Sequence, residues 1–153
     1  GVQAMSADID GLVQTSLNMG IAKLSDRFSA TFSVRSSVND EKQALLKQLE
    51  DMAALFGGTY SQMGSYPAWE YKKDSVLRDT MVRIYSEMFG TEPQVLAIHA
   101  GLECGLFIEK LPGLDCISFG PDLRDVHSTR ERLNIPSTER MYQLVCEILK
   151  GAK

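Results

Sequence analysis

Two apolar runs in the second half of the chain constrain its fold more than any other feature. They are "QVLAIHAG", residues 94–101, and "CISFG", residues 116–120. Nearly continuous apolar runs of this length are typical of strands buried on both faces of a parallel sheet. Helix-period patterns stand before, between and after them, so residues 71–153 are predicted to fold as α-β-α-β-α, with parallel strands joined by a helix.

The helices of this half are predicted from apolar residues at helical spacing. Asp74 or Ser75 is expected to cap the first helix and Ser137 the last one, because short polar side chains satisfy free backbone amides at helix starts. A short helix is predicted from about Leu102 to Lys110. The residues expected to face the core are Leu77, Met81, Ile84 and Met88 in the first helix, and Met141, Leu144, Val145 and Ile148 in the last.

The first half has a different pattern, typical of an antiparallel sheet with one helix. Residues 12–18 and 27–35 are predicted strands, the second because apolar and polar residues alternate along "RFSATFSVR". A helix with Leu45, Leu49, Met52 and Phe56 on one face is predicted after "SSVNDE", ending before "GG", and a short strand "TYSQMG" after that. The expected order is β-β-α-β, as in half of a ferredoxin-like fold, and the expected fold class of the whole chain is α/β.

The composition limits the class of partner. The chain has 153 residues, 44% of them hydrophobic and 24% charged, with a net charge of -4, as in ordinary globular proteins. It has neither the basic stripe of a nucleic-acid binder nor an apolar run long enough for a bilayer, so neither partner is expected. Three scattered cysteines, Cys104, Cys116 and Cys146, favour a reducing compartment and a cytoplasmic location. Since the chain opens on Gly rather than Met, we expect a piece of a longer protein.

Two loops at the predicted carboxyl ends of strands carry the residues with chemistry. They are "HAGLECG", residues 99–105, and "GPDLRDVHS", residues 120–128. Ligands of open parallel sheets bind outside the carboxyl ends of the strands. If the two strands are parallel, the loops share one edge of the sheet, and this places His99, Glu103, Cys104 and His127 in one neighbourhood.

Each of these residues also has an ordinary structural interpretation. His99 fits a core or hinge position, and Glu103 stabilises a helix N-terminus through the helix dipole. Cys104 at that terminus could be a nucleophile of lowered pKa with a histidine as base, although "GLECG" matches no known thiol-enzyme signature. His127 could be a surface residue, and one histidine cannot hold a catalytic zinc, which takes three protein ligands. A metal site, a thiol hydrolase and a non-enzymatic module that binds a ligand or assembles with itself all remain open.

A longer block of sequence narrows this choice by resemblance. "AIHAGLECGLFIEKLPGLDCISFGPDLRDVHSTRERLNI" resembles the C-terminal segment of bacterial aminoacyl-histidine dipeptidases, the Xaa-His or carnosinase-like branch of the M20 metallopeptidases. The resemblance extends upstream through "YPAWEYKKDS", "FSVRSS" and "GLVQTSLNMG" and so covers nearly the whole chain. It implies the C-terminal part of a lid or dimerisation domain at residues 1–70 and the C-terminal part of a catalytic domain at 71–153.

The resemblance also implies roles for particular residues. His127 matches the histidine that completes the second site of a dinuclear zinc centre. Arg35, and with it Asn18, resembles the lid residues that bind the terminal carboxylate of a dipeptide substrate. Gly101 and Glu103 match the loop that lines the substrate pocket. The remaining zinc ligands and the glutamate general base have no counterpart here, so no catalytic residue is expected in this chain.

The expected function follows from these assignments. The complete enzyme would hydrolyse Xaa-His dipeptides with a metal-activated water, whereas this chain alone is expected to be inactive and to bind no stoichiometric zinc. Strand edges left without partners are expected to pair with another copy, which predicts a homo-oligomer.

Overall fold

The computed structural model describes residues 1–99 and 102–151, which divide into two compact units. Unit 1 comprises Gly1–Lys73 and Leu96–Leu114, and unit 2 comprises Asp74–Val95 and Asp115–Lys153. No helix in the described part of the chain is long and apolar enough to cross a membrane. The elements are β1 (Val2–Met5), β2 (Val13–Leu24), β3 (Phe28–Ser36), α1 (Asn39–Leu55), α2 (Val76–Phe89), α3 (Glu103–Lys110), β4 (Leu123–Arg124), β5 (Arg132–Leu133) and α4 (Ile135–Gly151). The predicted mixed α/β class is confirmed.

The sheet of unit 1 is antiparallel, in the order β1-β2-β3. β2 and β3 form a long hairpin whose pairing runs from Thr15–Ser36 to Leu24–Phe28. Since alternate residues of a strand point to opposite faces, this pairing confirms the alternation predicted along β3. Phe28, Ala30, Phe32 and Val34 lie on one face, and Ser29, Thr31, Ser33 and Arg35 lie on the other.

A β-bulge at Gly20 allows β2 to follow this alternation. Pairing passes from Met19–Phe32 directly to Ile21–Thr31, which leaves Gly20 as the extra residue. One extra residue moves every later side chain of the strand to the opposite face of the sheet. As a result Leu17, Met19, Ala22 and Leu24 all lie on the apolar face of the hairpin, while Ile21 lies on the polar one.

Helix α1 covers the base of this hairpin. It packs mainly on β3, and Leu45 is buried as predicted. It ends where predicted, since Gly57 takes the left-handed conformation (φ 66°), which glycine adopts without strain. Met52 and Phe56, expected to face the core, are instead 53% and 81% exposed, and Phe56 lies one residue past the end of α1.

Several predicted strands are absent from the described part of the chain. Residues 59–64, 94–99 and 116–120 form no strand, whereas β1 and the two-residue strands β4 and β5 were not predicted. The apolar run at 94–99 was expected to be buried on both faces, yet Leu96 is 75% exposed. A strand needs a neighbour for its backbone hydrogen bonds, and no strand of the described residues pairs with these runs. Among the described residues, unit 1 is therefore β-β-β-α followed by α3, not β-β-α-β, and the predicted parallel sheet of the α-β-α-β-α half does not form there.

Unit 2 is built on the contact between α2 and α4. Its core is Ile84, Leu144 and Ile148, and Leu144 is only 1% exposed. Around them pack Met81, Tyr85, Met88, Phe89 and Met141. The predicted core stripes are thus largely confirmed. The exceptions are Leu77, which is not among these residues, and Val145, which is 38% exposed.

The starts of these two helices show how local sequence directs them. Ser75 caps α2, as predicted, by accepting a hydrogen bond from the backbone N–H of Arg78 (3.1 Å). The prediction that Ser137 caps α4 is wrong, because the side chain of Asn134 accepts from the backbone N–H of Ser137 (3.0 Å). Asn is an equally good cap, and Pro136 suits the first turn of a helix.

Candidate functional site

The hairpin of unit 1 carries two of the candidate substrate-binding residues on one face. Ser16 pairs with Arg35, and Asn18 pairs with Ser33. Arg35 and Asn18 are therefore diagonal neighbours on the polar face of the hairpin, at a separation of roughly 7–8 Å between backbone positions. Both side chains are exposed, so a guanidinium and an amide are available to the same small ligand.

The opposite face of the hairpin base holds a polar network that the sequence analysis missed. The carboxylate of Glu41, in the first turn of α1, accepts from the amide of Gln14 (2.6 Å) and from the hydroxyl of Thr15. The hydroxyls of Thr15 and Ser36 lie 2.7 Å apart, and both residues are buried. We call Gln14, Thr15, Ser36 and Glu41 the Glu41 network. The polar residues Thr15 and Ser36 at core-facing strand positions are the sequence signal that could have revealed it.

Glu103 begins α3 and is exposed, at the position predicted for it. A carboxylate in the first turn interacts favourably with the helix dipole. The other pocket candidate, Gly101, lies outside the described residues. Glu103 does not line the cleft of about 280 Å³ in unit 1, whose walls are Asn39, Pro67, Ala68, Glu70, Gly105, Ile108 and Glu109.

One wall of that cleft, residues 66–70, is held by α1. The backbone N–H of Asn39 donates to the carboxylate of Glu70 (3.1 Å). Lys42, only 5% exposed, donates from its ammonium to the carbonyl of Tyr66 and lies 4.5 Å from the centre of the Tyr66 ring. Burial lowers the pKa of Lys42 because it disfavours the charged ammonium. Residues 66–70 are thus tied to the first two turns of α1.

His127 lies in unit 2, in the loop that joins β4 to β5. Its backbone is left-handed (φ 64°), as is that of Asp125 (φ 53°), a conformation that costs energy for residues other than glycine. The loop is held by hydrogen bonds: the N–H of His127 donates to Glu131 (2.8 Å) and Arg132 donates to Asp125 (2.8 Å). His127 is exposed, so the loop presents its imidazole on the surface of the unit.

The described residues do not form a metal centre by themselves. Among them, no group of three or more His, Cys, Asp or Glu side chains is placed to hold a metal ion. A zinc site takes three or four protein ligands, so His127 alone does not fit a complete site.

The predicted grouping of four candidate residues at one sheet edge stays a prediction. Its premise, two parallel strands, is not met in the described residues. His99, Glu103 and Cys104 belong to unit 1, whereas His127 belongs to unit 2. Cys104 is half-buried, and the thiol hydrolase stays an untested alternative.

Comparison with known proteins finds two dipeptidases that are similar to the chain. No family model matches it. The cytosol non-specific dipeptidase of Escherichia coli (strain K12) is 32% identical over 151 residues, which is 98% of this chain and 31% of that protein. The crystal structure of aminoacylhistidine dipeptidase from Vibrio alginolyticus has a similar fold, with a TM-score of 0.85 and 32% identity over 99% of this chain and 31% of that one. The chain thus spans about a third of the length of each protein. Over nearly its whole length it is a homologue of these dipeptidases, which confirms the predicted resemblance.

Proposed function

We propose that the chain is part of a cytoplasmic M20-type metallopeptidase that hydrolyses dipeptides of the Xaa-His class. The similarity to two dipeptidases supports the class of reaction. The observation that carries the proposal is the strand pairing that sets Arg35 and Asn18 on one exposed face. In this proposal residues 1–70 belong to a lid domain and residues 71–153 to the catalytic domain.

The proposed role of Arg35 and Asn18 is to bind the terminal carboxylate of the substrate. A guanidinium presents parallel N–H donors that match the two oxygens of a carboxylate. The Asn18 amide adds a further donor from the neighbouring strand. Gly101 and Glu103 are proposed as additional residues of the substrate pocket.

His127 is the proposed zinc ligand of this chain. Zinc, when bound in the complete enzyme, supplies an activated water for attack on the peptide bond. The other ligands and the general base are proposed to come from elsewhere in that enzyme. One imidazole binds zinc weakly, so the 153-residue chain is expected to hold no stoichiometric zinc by element analysis and to hydrolyse no dipeptide.

The carboxylate role is tested by Arg35→Met in the complete enzyme. We expect KM for dipeptides to rise by roughly tenfold or more, the effect of losing a charge-assisted hydrogen bond of about 1.5–3 kcal/mol. KM for dipeptide amides, which lack the carboxylate, should not change. Arg27→Met is the matched control, since Arg27 is also exposed but lies in the turn between β2 and β3. An equal rise for acids and amides would show that Arg35 does not bind the carboxylate.

The metal role is tested by His127→Ala in the complete enzyme. We expect loss of turnover and a lower zinc content with an unchanged circular dichroism spectrum, because an exposed loop imidazole contributes little to packing. Arg130→Ala, an exposed change in the same loop, should keep both zinc and activity. Wild-type zinc content and activity in His127→Ala would rule out the assignment.

We also propose that the apolar face of the hairpin mediates assembly into a homo-oligomer. Leu24 and Phe28 at its tip are 83% and 66% exposed, and β3 is an edge strand of the sheet. Apolar faces and free edges of this kind favour association. Leu24→Asp should therefore shift the oligomer toward monomer by light scattering, whereas Ile21→Asp, on the polar face, should not. A monomeric wild-type chain together with a monomeric complete enzyme would rule out assembly through this face.

A further inference from the structure

We infer that Glu41 is a positioning residue for the carboxylate site: it fixes the register of β2 and β3 and thereby the places of Arg35 and Asn18. The inference rests on the function proposed above for those two residues. Glu41 itself lies on α1, under the opposite face of the sheet, and its carboxylate is joined to Gln14 and Thr15 of β2.

The Glu41 network leaves little freedom to its hydroxyl groups. Thr15 uses its one hydroxyl proton to donate to Glu41. Ser36 accepts from the backbone N–H of Val38 (3.0 Å) and lies 2.7 Å from the Thr15 oxygen. Thr15 and Ser36 are 3% and 5% exposed, so water cannot readily replace a lost partner. Without the carboxylate, the Thr15 hydroxyl must donate to Ser36, which itself donates to the carbonyl of Val38 (2.9 Å). The charge-assisted hydrogen bond that ties β2 to α1 is then lost.

The position of the network along the hairpin explains its effect on Arg35. Thr15 pairs with Ser36, and the next pair along the ladder is Ser16 with Arg35. Neighbouring residues of a strand point to opposite faces, so a bond that holds Thr15 and Ser36 on one face holds Arg35 on the other. A slip of one residue would turn Arg35 toward the helix and separate the hydroxyls from Glu41. The network therefore opposes the slip that would destroy the candidate site.

The edge location of β3 makes this restraint necessary. On the far side of β3 no strand of the described residues pairs with it, so its register depends on β2 and on α1. The bulge at Gly20 already interrupts the hydrogen bonding between β2 and β3, between Asn18 and the tip of the hairpin. Between the bulge and the helix, the Glu41 network ties β2 to α1 through side-chain hydrogen bonds.

The test compares two substitutions of Glu41 in the complete dipeptidase. Glu41→Leu fills similar space without an acceptor and should raise KM for dipeptides by roughly tenfold with kcat within about twofold of wild type. Glu41→Gln retains an oxygen for Thr15 and an NH₂ for a reoriented Gln14, so it should restore near-normal KM. Glu50→Leu is the matched control, because Glu50 lies on α1 with its side chain half exposed. Thr15→Val removes the hydroxyl and should raise KM in the same way. It takes the place of Glu41→Leu in the test if Glu41→Leu does not fold.

Coupling to Arg35 separates this inference from the proposed function. In an Arg35→Met background, Glu41→Leu should add no further rise in KM. If Arg35→Met raises KM but neither Glu41→Leu nor Thr15→Val does, the positioning role is wrong while the carboxylate role stands. If Arg35→Met leaves KM unchanged, Arg35 does not bind the substrate carboxylate. The inference that Glu41 positions Arg35 for that purpose is then wrong as well. Amide hydrogen exchange at Ser16 and Arg35 is the direct readout of register: faster exchange in Glu41→Leu but not in Glu50→Leu is expected, and equal exchange would overturn the inference.

Discussion

Replacing Gly105 by Ala tests how closely α3 approaches residues 67–68. A methyl group built on Gly105 would lie 2.9 Å from the carbonyl oxygen of Pro67 and 3.2 Å from that of Ala68, whereas ordinary contact begins near 3.4 Å. Both atoms belong to the backbone, so neither can turn away as a side-chain tip would. The helix or residues 67–68 must shift.

The net effect is the difference between two opposing contributions. Gly105 lies within α3, and Ala is favoured over Gly inside a helix by about 1 kcal/mol. Forcing a methyl group into a tightly packed contact costs about 1–3 kcal/mol. The clash is expected to outweigh the propensity, which gives a net destabilisation of unit 1 by about 1 kcal/mol.

The assay is urea unfolding followed by the fluorescence of Trp69. This is the one tryptophan of the chain and the next residue after Ala68, so its emission reports on the affected segment. With a slope of about 2 kcal/mol per M, the midpoint should fall by roughly 0.5 M, and the native emission should change as Ala68 moves.

Gly151→Ala provides the matched control. Gly151 also lies in a helix, but a methyl group there would meet nothing within 4 Å. This substitution should leave stability unchanged or raise it by a few tenths of a kcal/mol. If Gly105→Ala stabilised the chain to the same degree, with unaltered Trp69 emission, the close approach of α3 to residues 67–68 would be refuted.

Two further predictions concern the core and the buried lysine. Leu144→Ala should destabilise unit 2 by about 2–5 kcal/mol because it opens a cavity, while Leu149→Ala, at a position 66% exposed, should have little effect in the same thermal unfolding assay. For Lys42, the folded pKa is lower than 10.5, so the unfolded chain binds more protons between that lowered pKa and 10.5, and stability rises with pH across this window. The free energy of unfolding of wild type relative to Lys42→Met should therefore increase as the pH rises toward 10.5, and a flat or falling difference would contradict burial of the ammonium. Lys47 and Lys150, whose pKa values are raised by hydrogen bonds to nearby carboxylates, act in the opposite direction but are present in both proteins and cancel.

The parts of the fold predicted correctly are those specified by residues close in sequence. The alternation along β3, the end of α1 at Gly57 and the cap of α2 at Ser75 each depend on a few neighbouring residues. Backbone preferences and side-chain caps act over such short spans. The cap of α4 was predicted at Ser137 but is Asn134, three residues earlier. Ser and Asn are both good caps, so residue type did not distinguish them.

The roles of the candidate site residues stay predictions, and their geometry came only from the structure. Resemblance of sequence blocks indicated Arg35, Asn18, Glu103 and His127, yet only strand pairing shows that the first two share a face. The left-handed backbone of His127 was not inferred, because that conformation stays uncommon for any residue other than glycine, even histidine. Glu41 was missed because its partners are more than 25 positions away in the chain.

The sequence by itself determined the helices, the β3 alternation and the similarity to dipeptidases, since these depend on local pattern and on residue identity. The tertiary structure decided which apolar runs become strands. "QVLAIHAG" and "CISFG" have the composition of buried strands, but a strand exists only where a neighbour accepts its hydrogen bonds, and the described residues supply none. The bulge at Gly20 and the Glu41 network were likewise decided by tertiary structure, because both arise from contacts between segments that approach each other only in the folded chain.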